Sequence, residues 1–182
     1  MSRVIICSIS SYLAVMENEF FDIVDENDNI IGRATRRQVH KNKKLIHRSV
    51  GVAVFDDRGR IFLQKRSITK DTEPLKWTIS CSGHVISGDT YKETARRELT
   101  EELGVDLEIT PVVKFICHTR QETEITMLYK SFSNGPFKLN TQEIIEGKFF
   151  TQKELNYEIK SGRIELSFIG KKSLEKLGWK IP

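Results

Sequence analysis

Short apolar segments separated by polar turns dominate the first half of the chain. Such segments, when rich in β-branched and aromatic residues, are typical of β-strands. The segments that we predict to be strands here are residues 20–24, 29–32, 50–55, 61–65 and 77–80. Polar residues 25–28 join the first two strands into a hairpin, and residues 56–59 (DDRG) join the next two. Thr35 is placed to cap a short helix that runs toward His40.

The strongest helix signal of the chain lies between Thr90 and Gly104. Thr90 and Glu93 form a capping box, in which each side chain satisfies an otherwise unpaired backbone N–H at the helix start. Gly104 is the residue type that most often ends a helix. Apolar residues recur between them at four-residue spacing, namely Ala95, Leu99 and Leu103. The pattern therefore predicts a helix with one buried stripe.

Strand-like segments resume after this helix, and two helical ones follow them. The predicted strands are residues 107–109, 112–117, 124–132 and 143–150, and the predicted helices are 152–160 and 167–177. Strands, one helix, further strands and closing helices are the order of an α/β/α sandwich around a mixed β-sheet. This α/β architecture is the fold class that we expect.

Size and composition add few constraints. The 182 residues favour one domain, and no apolar run of 18 residues marks a membrane span. Three cysteines without metal-ligand spacing favour a reducing compartment, so we expect a cytoplasmic location and no membrane partner. Residues 1–15 differ from the rest. We interpret them as a leader upstream of a domain at 16–182, with Met16 as the initiator, in preference to a signal peptide or an amphipathic segment.

One face of the predicted helix is acidic. Glu98, Glu101 and Glu102 are three and four residues apart and therefore share that face. Like charges at this spacing destabilise an isolated helix, so a cation is expected to offset their repulsion. Carboxylate oxygens from one rigid helix suit a hard divalent ion such as Mg²⁺ or Mn²⁺, which leaves coordination positions for a substrate phosphate. A solvated acidic face is the alternative.

The 23 residues from Gly83 onward, GHVISGDTYKETARRELTEELGV, resemble the Nudix box, the signature of the Nudix hydrolases. The matching positions are Gly83, Arg97, Glu98, Leu99, Glu101, Glu102, Gly104 and Val105. Asp89 is the one departure, since the family has Glu there. The resemblance implies the Nudix α/β/α fold, Glu98 and Glu102 as chief metal ligands, and Arg97 as the residue that orients the carboxylates. Glu98, Glu101 and Arg97 are thus the predicted catalytic residues, and the choice of general base stays open.

Residues 33–48 carry seven cations and no acid. The segment has no aromatic residue and matches no nucleic-acid motif, and the net charge is only +4, so we expect no nucleic-acid partner. The alternatives are a solvated face and a patch that steers an anionic substrate. Arg33, Arg48 and Lys65 are predicted to bind substrate, together with Glu146, which lies where many Nudix relatives place a further acid.

Three of the four histidines belong to a second pattern. His40 and His47 are seven residues apart, His84 follows the first glycine of the Nudix box, and Glu122 and Glu124 form a Glu-x-Glu. These five residues resemble the octahedral metal site of the type I isopentenyl-diphosphate isomerases, which share the Nudix fold. The resemblance implies a second site for a transition metal, because imidazole suits Mn²⁺, Zn²⁺ or Fe²⁺ better than Mg²⁺. Unconnected surface residues are the alternative.

One position separates the chain from those isomerases. Ser82 stands where they carry a catalytic Cys before the Gly-His pair. Cys81 is one residue earlier, and in an extended segment its side chain points to the opposite face. A hydroxyl is a far weaker acid than a thiol of pKa about 8.5, and protonating an alkene needs a well-matched acid. The Glu101-Glu102 pair, which the isomerases generally lack, is intact.

The sequence therefore predicts a metal-dependent Nudix hydrolase of the isomerase-like branch that cleaves a diphosphate linkage in a nucleotide-like or other small organic molecule. Isomerisation of isopentenyl diphosphate and non-catalytic binding of a diphosphate ligand are the alternatives. Ser82 argues against the first, and the nearly complete Nudix box argues against the second. The leaving group and the oligomeric state are not predicted.

Overall fold

The computed structural model describes residues 19–182, so the predicted leader and Met16 lie outside the described residues. The strands are β1 (Phe20–Val24), β2 (Ile30–Thr35), β3 (Ile46–Phe55), β4 (Ile61–Arg66), β5 (Trp77–Ile79), β6 (Cys81–His84), β7 (Thr110–His118), β8 (Thr123–Phe132) and β9 (Ile144–Phe150). The helices are α1 (Arg36–Val39), α2 (Tyr91–Leu103), α3 (Gln152–Lys160) and α4 (Phe168–Lys176). None of these four helices has the length and apolar character that crossing a bilayer requires.

The sheet is mixed and is organised around β3. This strand pairs antiparallel with β1, β4 and β6, and parallel with β8 along its whole length. β2 extends the sheet beyond β1, β7 beyond β8, and both β5 and β9 pair with β4. Residues 50–54 of β3 are buried throughout, which explains the continuous apolar run, because a central strand needs apolar side chains on both faces.

Helices cover both faces of the sheet. On one face, Leu99 and Leu103 of α2 pack with Val52 of β3. On the other face, Leu155 of α3 and Leu174 of α4 pack in a separate apolar cluster with residues of β3 and β4. Each fully buried leucine contributes about 1.5–3 kcal/mol of burial free energy. The two layers confirm the predicted α/β/α sandwich.

The caps that bound α2 are confirmed. Thr90 and Glu93 form the capping box, and Gly104 has the left-handed φ of 69° that glycine adopts without strain. Thr35 likewise caps α1. The predicted strand at 107–109 is wrong, because these residues form a connection in which Leu107 and Ile109 pack against the core around α2. The Glu108 carbonyl accepts from the side chain of Ser131 on β8 rather than from a backbone N–H.

Ser80 redirects the chain between β5 and β6. Its Oγ accepts from the backbone N–H of Val54 at 2.7 Å and donates to the Phe62 carbonyl at 2.6 Å. The chain therefore stops pairing with β4 at this residue and pairs with β3 from Cys81 onward. This change of partner brings β6, with the start of the Nudix-like segment, beside β3 and under α2.

Candidate metal and substrate site

A cavity of about 820 Å³ lies where β6, α2 and the loops after β4 and β7 meet. Its walls combine both signs of charge. The carboxylates that line it include Glu98, Glu101, Glu122, Glu124 and Glu143, and the cations include Arg36, Arg66, Lys70, Lys76, Arg97 and Arg120. A cavity of this size and charge suits a small, multiply anionic molecule together with cations that bind to its carboxylates.

Two of the helix glutamates are buried. Glu98 is 8% exposed and Glu102 is 3% exposed, and Glu102 lies behind the cavity wall rather than in it. Glu98 packs directly against Gly83 of β6, where a Cβ atom would lie 2.2 Å from the Glu98 carboxyl carbon. The first glycine of the Nudix-like segment is therefore a steric requirement, because any side chain there would displace Glu98.

The two buried carboxylates carry more negative charge than their surroundings offset. Burial raises the pKa of Glu98 to about 7, with Arg97 opposing the shift and Glu101 and Glu143 adding to it. Burial and the nearby Glu98 also raise the pKa of Glu102. Arg97 Nη1 donates to Glu98 at 3.0 Å and to Glu101 at 3.1 Å, the orienting contact that the resemblance implies. A divalent cation would restore the ionised form, so the three glutamates fit a Mg²⁺ or Mn²⁺ site.

The predicted histidine and glutamate cluster also comes together. His47, His84, Glu122 and Glu124 each offer a ligand atom, and these four atoms all lie within 4.8 Å of one another. The parallel pairing of β3 with β8 sets His47 opposite Glu124, and β6 supplies His84. His40, just after α1, places its Nε2 atom 3.0 Å from Glu122 Oε2. Four segments distant in sequence thus build one cluster.

The ligand atoms of the cluster are close together but poorly aligned for hydrogen bonds. Within residues 19–182, neither ring nitrogen of the fully buried His47 makes a hydrogen bond of good geometry, and its Nε2 atom lies 3.5 Å from Glu122 Oε2. Glu122 Oε2 also has His40 Nε2 3.0 Å away, but in a position that does not meet hydrogen-bond geometry. A buried polar atom without a partner costs about 1–3 kcal/mol. Phe21 stacks on His47 with ring centroids 5.3 Å apart and fixes the imidazole orientation. These orphaned atoms fit a bound transition-metal ion better than a structural cluster.

Without a metal ion, a proton on His84 balances the charge of Glu122 and Glu124. Burial lowers the pKa of His84, but contacts with Glu122 and Glu124 outweigh it and raise the pKa to about 9. Burial raises the pKa of Glu122, but contacts with His40, His47 and His84 outweigh it and lower the pKa. A metal ion would therefore have to displace the proton of His84.

The structure does not bring the other predicted substrate residues to the cavity. Arg33 Nε donates to Ser87 at 2.6 Å, and Arg48 Nε donates to Asp28 at 2.6 Å. Lys65 and Glu146 face each other across β4 and β9. None of these four predicted residues lines the cavity.

Three of the cations at the cavity come from one segment, for which no role is predicted from the sequence. Arg66, Lys70 and Lys76 lie in or beside the connection between β4 and β5. Lys70 Nζ pairs with Glu143 at 2.6 Å. Glu143, the residue directly before β9, lines the cavity and raises the pKa of Glu98, whereas Glu146 does not. The spacing of basic residues before the Nudix-like segment was the available signal.

Ser82, which stands where the isomerases carry a catalytic Cys, and its neighbour Cys81 lie in different environments. Ser82 lines the cavity, whereas Cys81 is fully buried in the core beneath α2. Burial raises the pKa of the Cys81 thiol, and the nearby Glu102 and Glu98 add to the shift. The prediction that Cys81 points away from Ser82 is confirmed, and this thiol stays protonated in the core.

The comparisons with known proteins agree with this geometry. Residues 45–167 match the family described as NUDIX domain, and the chain belongs to that family. Isopentenyl-diphosphate Delta-isomerase 2 of Photorhabdus laumondii is 40% identical over 101 residues, which is 56% of each chain. An uncharacterized Nudix hydrolase of Yersinia pestis is 36% identical over 143 residues, 75% of each chain. A Deinococcus radiodurans protein of known structure has a TM-score of 0.74 at 26% identity and covers 86% of this chain and 98% of its own.

These relatives place the chain in the part of the family where isomerases and hydrolases are similar in sequence. The chain spans little more than half of the length of the Photorhabdus isomerase. Family membership therefore does not decide between the two activities, and the site residues have to carry that argument.

Proposed function

We propose that the protein is a metal-dependent Nudix hydrolase that cleaves a diphosphate linkage in a small organic substrate. The observation that carries the proposal is the pair Glu98 and Glu102, two buried carboxylates whose pKa values are raised by burial and by neighbouring carboxylates. A buried acid pair of this kind is costly in a purely structural role. It is useful where a divalent cation completes the site.

The side chains around the cavity have separable roles. A Mg²⁺ or Mn²⁺ ion held by Glu98, Glu101 and Glu102 would supply Lewis acidity and lower the pKa of bound water. Arg97 holds two of these carboxylates in place. Arg66 and Lys70 offer positive charge to the phosphates. In hydrolysis, water adds to phosphorus, one P–O bond of the bridge breaks, and a cavity carboxylate takes the water proton. Glu143 joins Glu98 and Glu101 as a candidate for that base.

A substrate panel tests the proposal. Nucleoside diphosphates, dinucleotides and prenyl diphosphates are incubated with Mg²⁺ and Mn²⁺, and released phosphate products are quantified. We expect metal-dependent cleavage of at least one class and its loss in Glu102→Gln. A Glu102→Gln variant with nearly wild-type turnover would refute the assignment of the acidic helix as the metal site.

Isomerisation of isopentenyl diphosphate is the second candidate. It is favoured by the cluster of His47, His84, Glu122 and Glu124 and by the isomerase names of several relatives. It is opposed by Ser82, whose hydroxyl occupies the cavity wall where the isomerases have a thiol. The products separate the candidates, because an isomerase leaves the diphosphate intact.

A further inference from the structure

Gln64 is a buried polar residue that sequence patterns do not single out. It lies on β4 and is 3% exposed. Its side-chain Nε2 atom donates to the Ser80 carbonyl at 3.1 Å and to Glu102 Oε2 at 2.5 Å. Both amide hydrogens are thus used. Within residues 19–182, the Gln64 amide is the one side-chain donor that hydrogen-bonds the Glu102 carboxylate.

The contact fixes the orientation of Glu102, because the Gln64 amide donates to one of its two carboxylate oxygens. Because one oxygen of Glu102 is fixed on Gln64, the carboxylate has one orientation and its other oxygen makes no hydrogen bond within the described residues. This is the arrangement expected for a residue that orients a metal ligand.

The second bond of Gln64 links the ligand helix to the neighbouring strand. Ser80 is the residue at which the chain leaves β4 and joins β3, and it leads directly into β6 with Gly83 and His84. One amide therefore ties Glu102 of α2 to the strand against which Glu98 packs. Displacing it would disturb both sides of the acidic site.

We propose that Gln64 is a positioning residue of the metal site, which holds the Glu102 carboxylate in one orientation and in register with Glu98 for a divalent cation. The inference rests on the proposed function, since it assumes that Glu102 binds a metal. Gln64 acts through Glu102 and does not itself contact substrate in this proposal.

The test compares Gln64→Met with Thr78→Val. Met keeps the volume and removes the donors. Thr78 is the cross-strand partner of Gln64 and is fully buried, and its hydroxyl has no hydrogen-bond partner among residues 19–182. Thr78→Val therefore controls for a change in the same strand pair. Mg²⁺ and Mn²⁺ affinities are measured by calorimetry, and melting temperatures with and without metal. We expect about 10–100-fold weaker binding for Gln64→Met and unchanged binding for Thr78→Val.

Three results are decisive. If Gln64→Met melts lower than wild type but binds metal equally well, Gln64 is only structural and the inference is wrong. If wild type binds no divalent ion, or Glu102→Gln binds it as well as wild type, the proposed function itself fails. Gln64→Asn serves if Gln64→Met does not fold. It keeps the amide but shortens the reach, and the inference then requires an affinity below that of wild type, with kcat reduced more than KM is changed at saturating metal.

Discussion

Two groups of charged side chains meet helix α2, and their charges are balanced in opposite ways. At the helix start, Asp28 accepts hydrogen bonds from Arg48 Nε at 2.6 Å and from the Tyr91 hydroxyl at 3.1 Å, and it also pairs with Lys114. Burial would raise the pKa of Asp28, but the hydrogen bonds from Lys114 and Arg48 outweigh it and lower the pKa. Here one acid is matched by two cations.

In the middle of the same helix the balance is reversed. Glu98 and Glu102 are buried close together, with Arg97 as the hydrogen-bonded cation of Glu98 and a neutral amide on Glu102. The pKa of Asp28 is therefore lowered, whereas the pKa values of Glu98 and Glu102 are raised, although all three are carboxylic acids. The comparison indicates that the protein can neutralise a carboxylate where structure requires it. Buried glutamates without matching cationic side chains, such as Glu98 and Glu102, therefore indicate a binding site for a metal cation.

The largest expected effect is the loss of catalysis in Glu102→Gln. Removing a metal ligand costs several kcal/mol of transition-state stabilisation, and about 1.4 kcal/mol is a factor of ten, so turnover should fall at least about 100-fold. Assays with saturating Mg²⁺ measure this change. Glu143→Gln serves as the comparison, since a smaller loss there would exclude Glu143 as the sole base.

The same variant probes the reversed charge balance through stability. A carboxyl whose folded-state pKa is raised stabilises the fold below its unfolded pKa, and that contribution is lost as pH rises through the folded pKa. Metal-free wild type should therefore lose stability as pH rises through about 7, where Glu98 titrates. Glu102→Gln should be at least as stable as wild type above that pH. A clear destabilisation of the variant in urea unfolding at pH 8 would contradict the conclusion that the Glu98 and Glu102 charges are unbalanced in the metal-free protein.

The histidine cluster extends the comparison to a second set of acids. We expect a transition metal to copurify with the protein and to be lost in His47→Ala, because the His47 ring is fully buried and its nitrogens make no well-aligned hydrogen bond within residues 19–182. His118→Ala is the matched control, since His118 is exposed and lies outside the cluster. Elemental analysis measures occupancy. Metal absent from wild type and both variants would show that this cluster is held by protons alone.

The pH dependence of that metal has a defined sign. Ligand imidazoles must be neutral, and the pKa of His84 is about 9 without metal. Affinity should therefore rise from about pH 6.5, the ordinary His pKa, to about pH 9, as measured by titration with Mn²⁺ or Zn²⁺. An affinity independent of pH over this range would exclude His84 as a ligand.

The features of this molecule that depend on local sequence patterns could be predicted from the sequence alone. The caps of α2, its apolar stripe and the strands around it follow from short-range spacing, and so did the acids on one helix face. The matched cluster around Asp28 could not be predicted, because Arg48 and Lys114 meet Asp28 from distant segments. The sequence therefore predicts that Arg48 binds substrate, whereas in the structure Arg48 pairs with Asp28.

The candidate site shows the same division. Resemblance to the isomerase pattern brought together His40, His47 and His84, which local periodicity does not connect. Gln64 and Glu143 carried no such motif, and their roles depend on contacts across 38 residues from Gln64 to Glu102 and 73 residues from Lys70 to Glu143. Sequence spacing predicts which residues share a face of one element, and it does not predict which distant elements meet.

Replacing Asp28 tests the balanced side of the comparison. Asp28→Asn leaves Arg48 and Lys114 without their partner, and hydrogen bonds to charged groups are worth about 1.5–3 kcal/mol. We expect unfolding free energy to fall by about this amount, while hydrolysis by the folded enzyme is unchanged. Asp106→Asn is the control, because the exposed Arg96–Asp106 pair should contribute below about 1 kcal/mol. Equal losses in the two variants would contradict a special role for Asp28.

The Asp28 contribution should also depend on pH. Because its folded-state pKa is lowered from 3.8, its stabilisation is present above pH 3.8 and is lost as pH falls through the folded pKa. The difference in unfolding free energy between wild type and Asp28→Asn should shrink in that acidic range. A constant difference down to the lowest accessible pH would show that the destabilisation comes from packing instead.

The smallest expected effect is at Ser82, which tests whether the half of the cavity that resembles an isomerase can act as one. Wild type should leave isopentenyl diphosphate unrearranged, because a serine hydroxyl is too weak an acid to protonate an alkene. In Ser82→Cys, a thiol near a bound cation would have a lowered pKa. We expect at most a trace of dimethylallyl diphosphate, since the resemblance to the isomerases also assigns an acid on the opposite face, here Glu124, and requires an apolar pocket. The cavity that Ser82 lines also holds many charged residues, among them Glu98, Arg97 and Arg66. Mass-resolved chromatography or NMR of the product decides the matter. Rearrangement by wild type that disappears in Glu124→Gln would show that Ser82 is no barrier, and the isomerase would then replace the hydrolase as the better assignment.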